Sequence, residues 1–280
     1  MPLLVPIGAH IPLSGRPGGL AYAAAAGAEA VQVFAGNPRG WVAGPGDPAQ
    51  DVALRECGLP VFVHAPYLIN LGSPDEVTAA RSVSALEHSL RRGEEMGARG
   101  VVVHTGSAVG GDRDAALRRV ADGLLPLLDK IGDDGPDVLL EPMAGQGQTL
   151  CADVGQLDAY LDALDRHPKA CVCLDTCHVF AAGHDLTAPG GVTAMLAALA
   201  RTGGQVRLVH ANDSATGCGS RRDRHANIGA GEIGTAPLRD LLRHPALAGV
   251  PFVVETPGGL AAHTRDIATL KSLRPGQAYS

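Results

Sequence analysis

Eight short, apolar, β-rich runs recur along the chain: VPIGAH (5–10), AVQVF (30–34), PVFVH (60–64), GVVVH (100–104), DVLLE (137–141), CVCLD (171–175), VRLVH (206–210) and PFVVE (251–255). Between them lie stretches with helical spacing of apolar residues, near 74–97, 114–131, 153–166, 191–202, 236–244 and 262–272. The first of these places Ser73 as N-cap, Pro74 at the first helical position, and Asp75 with Glu76 in the first turn, where acceptors and negative charge suit the free N–H groups. Strands alternating with helices need crossover connections and therefore a parallel sheet. Eight such units predict an α/β fold that closes into a single (β/α)8 TIM barrel, with an open doubly wound sheet as the alternative. Gly and Pro number 37 and 20 but are scattered, which marks short connections rather than a linker, so residues 1–280 read as one barrel domain.

The ends of the runs carry the chemistry. Seven of the eight stop on a residue able to bind a metal: His10, His64, His104, Glu141, Asp175, His210 and Glu255. In a parallel barrel all strand C-termini open onto one face, where the active site is built, so these side chains converge however far apart they lie in sequence. One such residue alone reads as an ordinary polar group at a barrel rim. Imidazoles and carboxylates at seven corresponding ends would bury unpaired charge unless cations neutralised it. Nitrogen and oxygen donors without thiolate suit Zn²⁺, Mn²⁺ or Fe²⁺. His178 follows Asp175 in CLDTCHVFAAGHD, and SRRDRHANIG adds Asp223 and His225, so the supply exceeds what one ion needs. Several metals a few ångströms apart commonly clamp a phosphate ester.

Composition narrows the partners. A formal charge of −6 argues against a broadly basic nucleic-acid binder, although bound divalent cations would reverse the sign locally. Six cysteines without C-x-x-C pairs make neither a disulfide framework nor a cysteine zinc site. No run of 18 apolar residues occurs and no basic residue precedes Arg16, so no membrane span and no secretory signal are expected, and the chain is assigned to the cytoplasm. Arg221, Arg222 and Arg224 interleave with Asp223, and Arg39 stands near Trp41; both read as solvated basic loops or as contacts to a phosphate backbone. Tyr67 and Leu68, just after His64, read either as packing residues or as a wedge for a base stack.

These motifs resemble the endonuclease IV family of apurinic/apyrimidinic (AP) endonucleases along nearly the whole chain. The likeness runs from GAH (8–10) through VQVFAGNPRGW, HAPYLINLGSPD, VVVHTGS and LLEPMAGQG to VVETP, and is most specific in LDTCHVFAAGHD, HANDS and DRHANIGAGEIG. The resemblance implies a barrel holding three Zn²⁺ ions, with Mn or Fe as substitutes, that cuts double-stranded DNA on the 5′ side of an abasic site. The products would be a 3′-hydroxyl and a 5′-deoxyribose phosphate, in base excision repair, together with 3′-end-cleaning phosphodiesterase activity. It further implies that His64, His104 and Glu141 hold one zinc; that Glu141, as the catalytic bridging residue, shares a second with Asp175, His210 and Glu255; and that His178, Asp223 and His225 hold the third. Arg39, Tyr67 and Leu68 match positions that enter the DNA at the lesion. No protein partner is implied. His10 is left over, as a neighbour of the metals or as packing. Two features depart from the family pattern: the proline-rich first loop, Pro12 to Pro17, and Pro142 with Met143 after Glu141.

Two other functions fit part of this pattern. A sugar isomerase or epimerase on a related barrel would use Glu141, Asp175, His210 and Glu255 around one metal, but has no need of His64, His104, His178, Asp223 and His225. A non-cleaving binder of abasic DNA would be expected to lack a metal ligand, and none is missing.

Overall fold

In the computed structural model, which describes residues 4–275, all eight apolar runs form strands. They are β1 (Ile7–His10), β2 (Val31–Phe34), β3 (Val61–His64), β4 (Gly100–His104), β5 (Asp137–Glu141), β6 (Ala170–Asp175) and β7 (Val206–His210). Two short strands follow, β8 (Asp213–Ser214) and β9 (His225–Ala226), and then β10 (Phe252–Val254). The order β1-β10-β7-β6-β5-β4-β3-β2 closes on itself with every pairing parallel, which is the TIM barrel expected from the alternation. β8 and β9 form a separate antiparallel ladder, Asp213 opposite Ala226 and Ser214 opposite His225.

Strands buried on both faces read as continuous apolar runs, and the two faces separate cleanly here. Ala30, Phe62, Val102, Leu139, Cys171, Cys173, Leu208 and Val253 form one cluster. The alternate residues, such as Val61, Val63, Val101, Val103, Val138 and Leu140, join a larger cluster that includes the surrounding helices. Side chains on a strand alternate faces, so the smaller cluster is the filled barrel interior. Cys173 is one of its small fillers. Gly8 is required where β1 crosses close to β2: a Cβ there would lie 1.7 Å from the carbonyl oxygen of Ala30.

The helices sit close to their expected places: Glu76–Glu95, Arg113–Leu128, Gly191–Arg201, Thr235–Arg243 and Gly259–Leu273. The segment at 153–166 divides into a 3-10 turn, Val154–Gln156, and a helix, Leu157–Ala163. The N-cap of the first is Asp75, not Ser73. The Asp75 carboxylate accepts from the Thr78 N–H at 2.8 Å, while Ser73 Oγ accepts from the Asp75 N–H at 3.1 Å and shapes the turn before it. Three further helices have no amphipathic period long enough to stand out. Gly19–Ala26 is nearly all small apolar residues, Pro48–Glu56 follows an Asp47 cap, and the buried Thr176–Ala182 starts directly from the end of β6. No helix among the described residues is long and apolar enough to cross a membrane.

Candidate metal centre

Parallel register brings the strand ends to one level. His104 pairs with Glu141 across β4 and β5, Asp175 with His210 across β6 and β7, and His64 with Phe34 across β3 and β2. Glu255 follows the last residue of β10. The side chains converge on Glu141, which is fully buried at the centre. Its Oε2 lies 3.3 Å from His64 Nε2 and 3.4 Å from His104 Nε2, and its Oε1 lies 2.9 Å from His210 Nδ1 and 3.4 Å from His178 Nδ1.

The imidazole and carboxylate donors form three groups, each with its atoms within 4.8 Å of one another: His64, His104 and Glu141; Glu141, Asp175, His210 and Glu255, which shares Glu141 with the first; and His178, Asp223 and His225. Two further groups bring in Cys173 with Glu141 and His210, and Cys177 with Asp175 and His225. The second and third groups adjoin, since His225 Nε2 is 3.5 Å from Asp175 Oδ2. Within the third, Asp223 Oδ2 is 3.3 Å from His178 Nε2 and its Oδ1 is 3.1 Å from His225 Nε2. His10 is not idle: its Nδ1 lies 3.0 Å from Glu255 Oε1, and its ring rests on Phe34 with centroids 4.2 Å apart.

Most of the imidazoles are aimed by backbone carbonyls. A carbonyl only accepts, so each ring must present N–H to it and turn its other nitrogen inward. His64 Nδ1 donates to Ala65 O at 2.7 Å, His178 Nδ1 to Pro142 O at 3.1 Å, and His225 Nδ1 to Glu255 O at 3.3 Å. In all three, Nε2 faces the cluster. The support for His178 comes from the main chain of Pro142, so the unusual side chain at that position does not remove it.

Two residues inside the HANDS motif do more than the sequence reading assigned to them. The Asn212 amide donates to Asp175 Oδ2 at 2.7 Å, and its carbonyl accepts from the Glu255 N–H at 2.8 Å, which ties two strand ends together. Asp213 is fully buried and accepts from the N–H groups of Ser214, Gly229, Gly231, Ile233 and Gly234 at 2.8 to 3.3 Å. It therefore anchors the loop just after His225. Gly231 permits this approach, since a Cβ would fall 2.6 Å from Asp213 Oδ1. Gln32 is a third residue the sequence reading passed over, buried in β2 against His10, His210 and Glu255. A lone amide in an otherwise apolar strand is the signal that could have found it.

The electrostatics call for positive charge. Burial alone would raise the carboxyl of Glu141, but His210, His104 and His64 hold it well below the usual range. Burial likewise opposes ionisation of Glu255 and Asp223, yet His210 and His10 lower the first, and His178 and His225 lower the second. The imidazoles move in the opposite sense. Against the cost of burial, Asp175, Asp223 and Glu141 push His178 up to about 10, and Asp175, Asp223 and Glu255 push His225 up to about 9. Without metal, protons on histidine do the neutralising. Even so, Glu141 Oε2 and His225 Nε2 are buried with no hydrogen-bond partner. A buried polar atom without a partner is costly, and a cation held among these donors would satisfy both. The residues fit a metal centre. Cys173 and Cys177 also lie beside it, but burial pushes each thiol up to about 12, which disfavours the thiolate a metal needs.

The residues expected to meet DNA surround the mouth. Tyr67 is 44% exposed and Leu68 36% exposed. The Tyr67 ring stacks on His104 with centroids 5.7 Å apart and meets His64 and Phe34 edge-on at 5.3 Å, so one part packs while another faces solvent. The Tyr67 N–H donates to Pro38 O at 2.9 Å, joining this loop to the one that carries the exposed Arg39. Arg221, Arg222 and Arg224 line a shallow cleft with Gln146, Thr216 and Asp223, directly beside the third group.

Comparison with known proteins agrees with this architecture. The profile of the xylose isomerase-like TIM barrel family matches residues 20–273. A Streptomyces coelicolor protein named "Probable endonuclease 4" is 54% identical over 97% of this chain and 96% of its own. The structure of endonuclease IV from Thermus thermophilus superposes with a TM-score of 0.82 at 34% identity, covering 96% of this chain and 98% of that one. An L-ribulose 3-epimerase, at 18% identity, TM-score 0.71 and 96% coverage of both chains, shares the fold alone.

Proposed function

The chain belongs to the endonuclease IV family, and from that membership we propose that it is a zinc-dependent AP endonuclease. It would hydrolyse the phosphodiester bond 5′ to an abasic site in double-stranded DNA, leave a 3′-hydroxyl and a 5′-deoxyribose phosphate, and also clean blocked 3′ ends, as base excision repair requires. The observation that carries this reading is the number and grouping of the donors. Glu141, Asp175, His210 and Glu255 would suffice for a one-metal sugar enzyme, yet two further groups converge on the same mouth.

His64, His104 and Glu141 would hold one Zn²⁺, Glu141 with Asp175, His210 and Glu255 a second, and His178, Asp223 and His225 a third. Manganese or iron could substitute, since such ligands select weakly. When bound, the ions supply a lowered water pKa and positive charge for the phosphate oxygens. The chain's own residues do the remainder. Asn212 and the backbone carbonyls hold the ligands in place, so little reorganisation is needed at the moment of reaction. Arg221, Arg222 and Arg224 grip neighbouring phosphates. Arg39, Tyr67 and Leu68 enter the gap at the lesion, where no base resists displacement.

Metal analysis beside a nicking assay on an abasic duplex tests the reading. About three zinc equivalents and cleavage 5′ to the abasic site are expected, and Glu141→Gln should keep the fold and DNA binding while nicking falls by orders of magnitude. One tightly held metal with sugar turnover would establish the isomerase alternative, and abasic-DNA binding without cleavage by the loaded protein would establish the non-cleaving one.

A further inference from the structure

One histidine of the cluster is turned the other way. His64, His178 and His225 each give Nδ1–H to a backbone carbonyl and present Nε2 to the cluster. His210, fully buried, presents Nδ1, which lies 2.9 Å from Glu141 Oε1, 3.8 Å from Asp175 Oδ2 and 3.4 Å from Glu255 Oε2. Its Nε2 points towards β2, where the group that meets it is the Gln32 side chain, Oε1 at 2.9 Å. Gln32 is itself fully buried.

The amide's direction follows from its other neighbour. Gln32 Nε2 lies 2.6 Å from Glu255 Oε1, a carboxylate oxygen that can only accept, so the amide nitrogen must be on that side and the carbonyl oxygen on the side of His210. The amide nitrogen also lies 2.9 Å from His10 Nδ1, which is itself 3.0 Å from Glu255 Oε1. A carbonyl oxygen requires a donor, so His210 must carry a proton on Nε2, which leaves Nδ1, the nitrogen facing Glu141, as the one whose lone pair a bound cation would take. We propose that Gln32 is a positioning residue that fixes the tautomer and ring orientation of His210, so that Nδ1 faces the metal position shared by Glu141, Asp175 and Glu255, and that it holds Glu255 by the same amide.

This inference rests on the metal-centre reading above. It accounts for an amide at the middle of an apolar strand, VQVF, where an unpaired polar group would be a net cost. Partners that orient a ligating histidine usually change metal affinity by about 10- to 100-fold when removed.

The test uses zinc-loaded protein labelled with ¹⁵N at histidine, alongside zinc affinity measured by competition with a chromophoric chelator. Long-range proton–nitrogen correlation should show the His210 proton on Nε2 in the wild type. Gln32→Met, close in volume but without polar atoms, should weaken one zinc equivalent by about 10- to 100-fold and leave the other equivalents unchanged. Gln32→Glu keeps an acceptor for Nε2–H and loses the donor to Glu255, so the proton should stay on Nε2. A proton on Nδ1 in loaded wild type, or all equivalents unchanged in Gln32→Met, overturns the proposal. Should Gln32→Met fail to fold, a proton moved to Nδ1 in Gln32→Glu overturns it equally. Wild type that binds no metal at all would instead sink the metal-centre reading itself.

Discussion

Replacing Asp213 by alanine should loosen the loop that follows His225 while leaving the barrel folded. The carboxylate accepts from five backbone N–H groups, of which those of Ser214 and Ile233 are in buried hydrogen bonds, while the three glycine donors are nearer solvent. Hydrogen bonds to a charged acceptor contribute about 1.5–3 kcal/mol each, and water can replace the acceptor for the glycines, so the two buried donors set a loss of about 3–6 kcal/mol. Domains of ordinary stability, about 5–15 kcal/mol, mostly survive such a loss. The loop also keeps a second anchor, because Asp266 accepts from the Ile228 N–H at 3.1 Å and from the Asn227 amide at 2.8 Å. Asp213 holds residues 229–234, which begin four residues after His225, so His225 and Asp223 should lose their fixed placement. Urea denaturation of metal-stripped protein measures the stability term, and chelator competition separately measures zinc. Asp213→Asn, which keeps one carbonyl oxygen, should fall between wild type and alanine. An alanine variant that loses less than about 1 kcal/mol, with every zinc equivalent held as tightly as before, would refute the anchoring argument.

Changing Asp223 and His225 together to alanine should remove about one zinc equivalent and depress cleavage severely, while the flanking arginines preserve part of the salt-sensitive DNA affinity; full zinc content with normal cutting would remove the third site. Tyr67→Ala should weaken binding to an abasic duplex by about 1–3 kcal/mol in a fluorescence titration with zinc content unchanged, and equal binding of abasic and intact duplex by the wild type would return Tyr67 to packing. The metal-stripped protein should become less stable as pH rises from 7 to 10. His178 and His225 are raised to about 10 and about 9 from 6.5, so their contribution is complete below 6.5 and is lost as pH climbs through the raised values. Asp223 and Glu255 are lowered, so their contribution is present above the usual carboxylate range and is lost on the acid side. Melting temperatures across this range, with and without zinc, check it: zinc displaces those protons, so the loaded protein should be nearly flat where the stripped protein declines.

The barrel and its ligand types were legible in the sequence for a local reason. Each strand is a few consecutive residues whose apolar character shows in the run itself, and six of the candidate ligands, His64, His104, Glu141, Asp175, His210 and Glu255, are the residues where those runs stop or, for Glu255, the next one. Parallel closure then brings the ends to one face whatever the intervening loops contain. The cap at Asp75 was misplaced by two residues because Ser73, Pro74 and Asp75 all carry helix-start signals, and the choice depends on which oxygen reaches the Thr78 N–H. Other features had no local expression. The orientation of His210 depends on Gln32, 178 residues away in sequence, and the anchoring of the His225 loop depends on a carboxylate in a different strand. Glu141 is an ordinary strand-end glutamate until His64, His104, His178 and His210 surround it. Which nitrogen faces inward, and which buried oxygen is left without a partner, are properties of hydrogen bonds between distant segments, and these exist only once the barrel has closed.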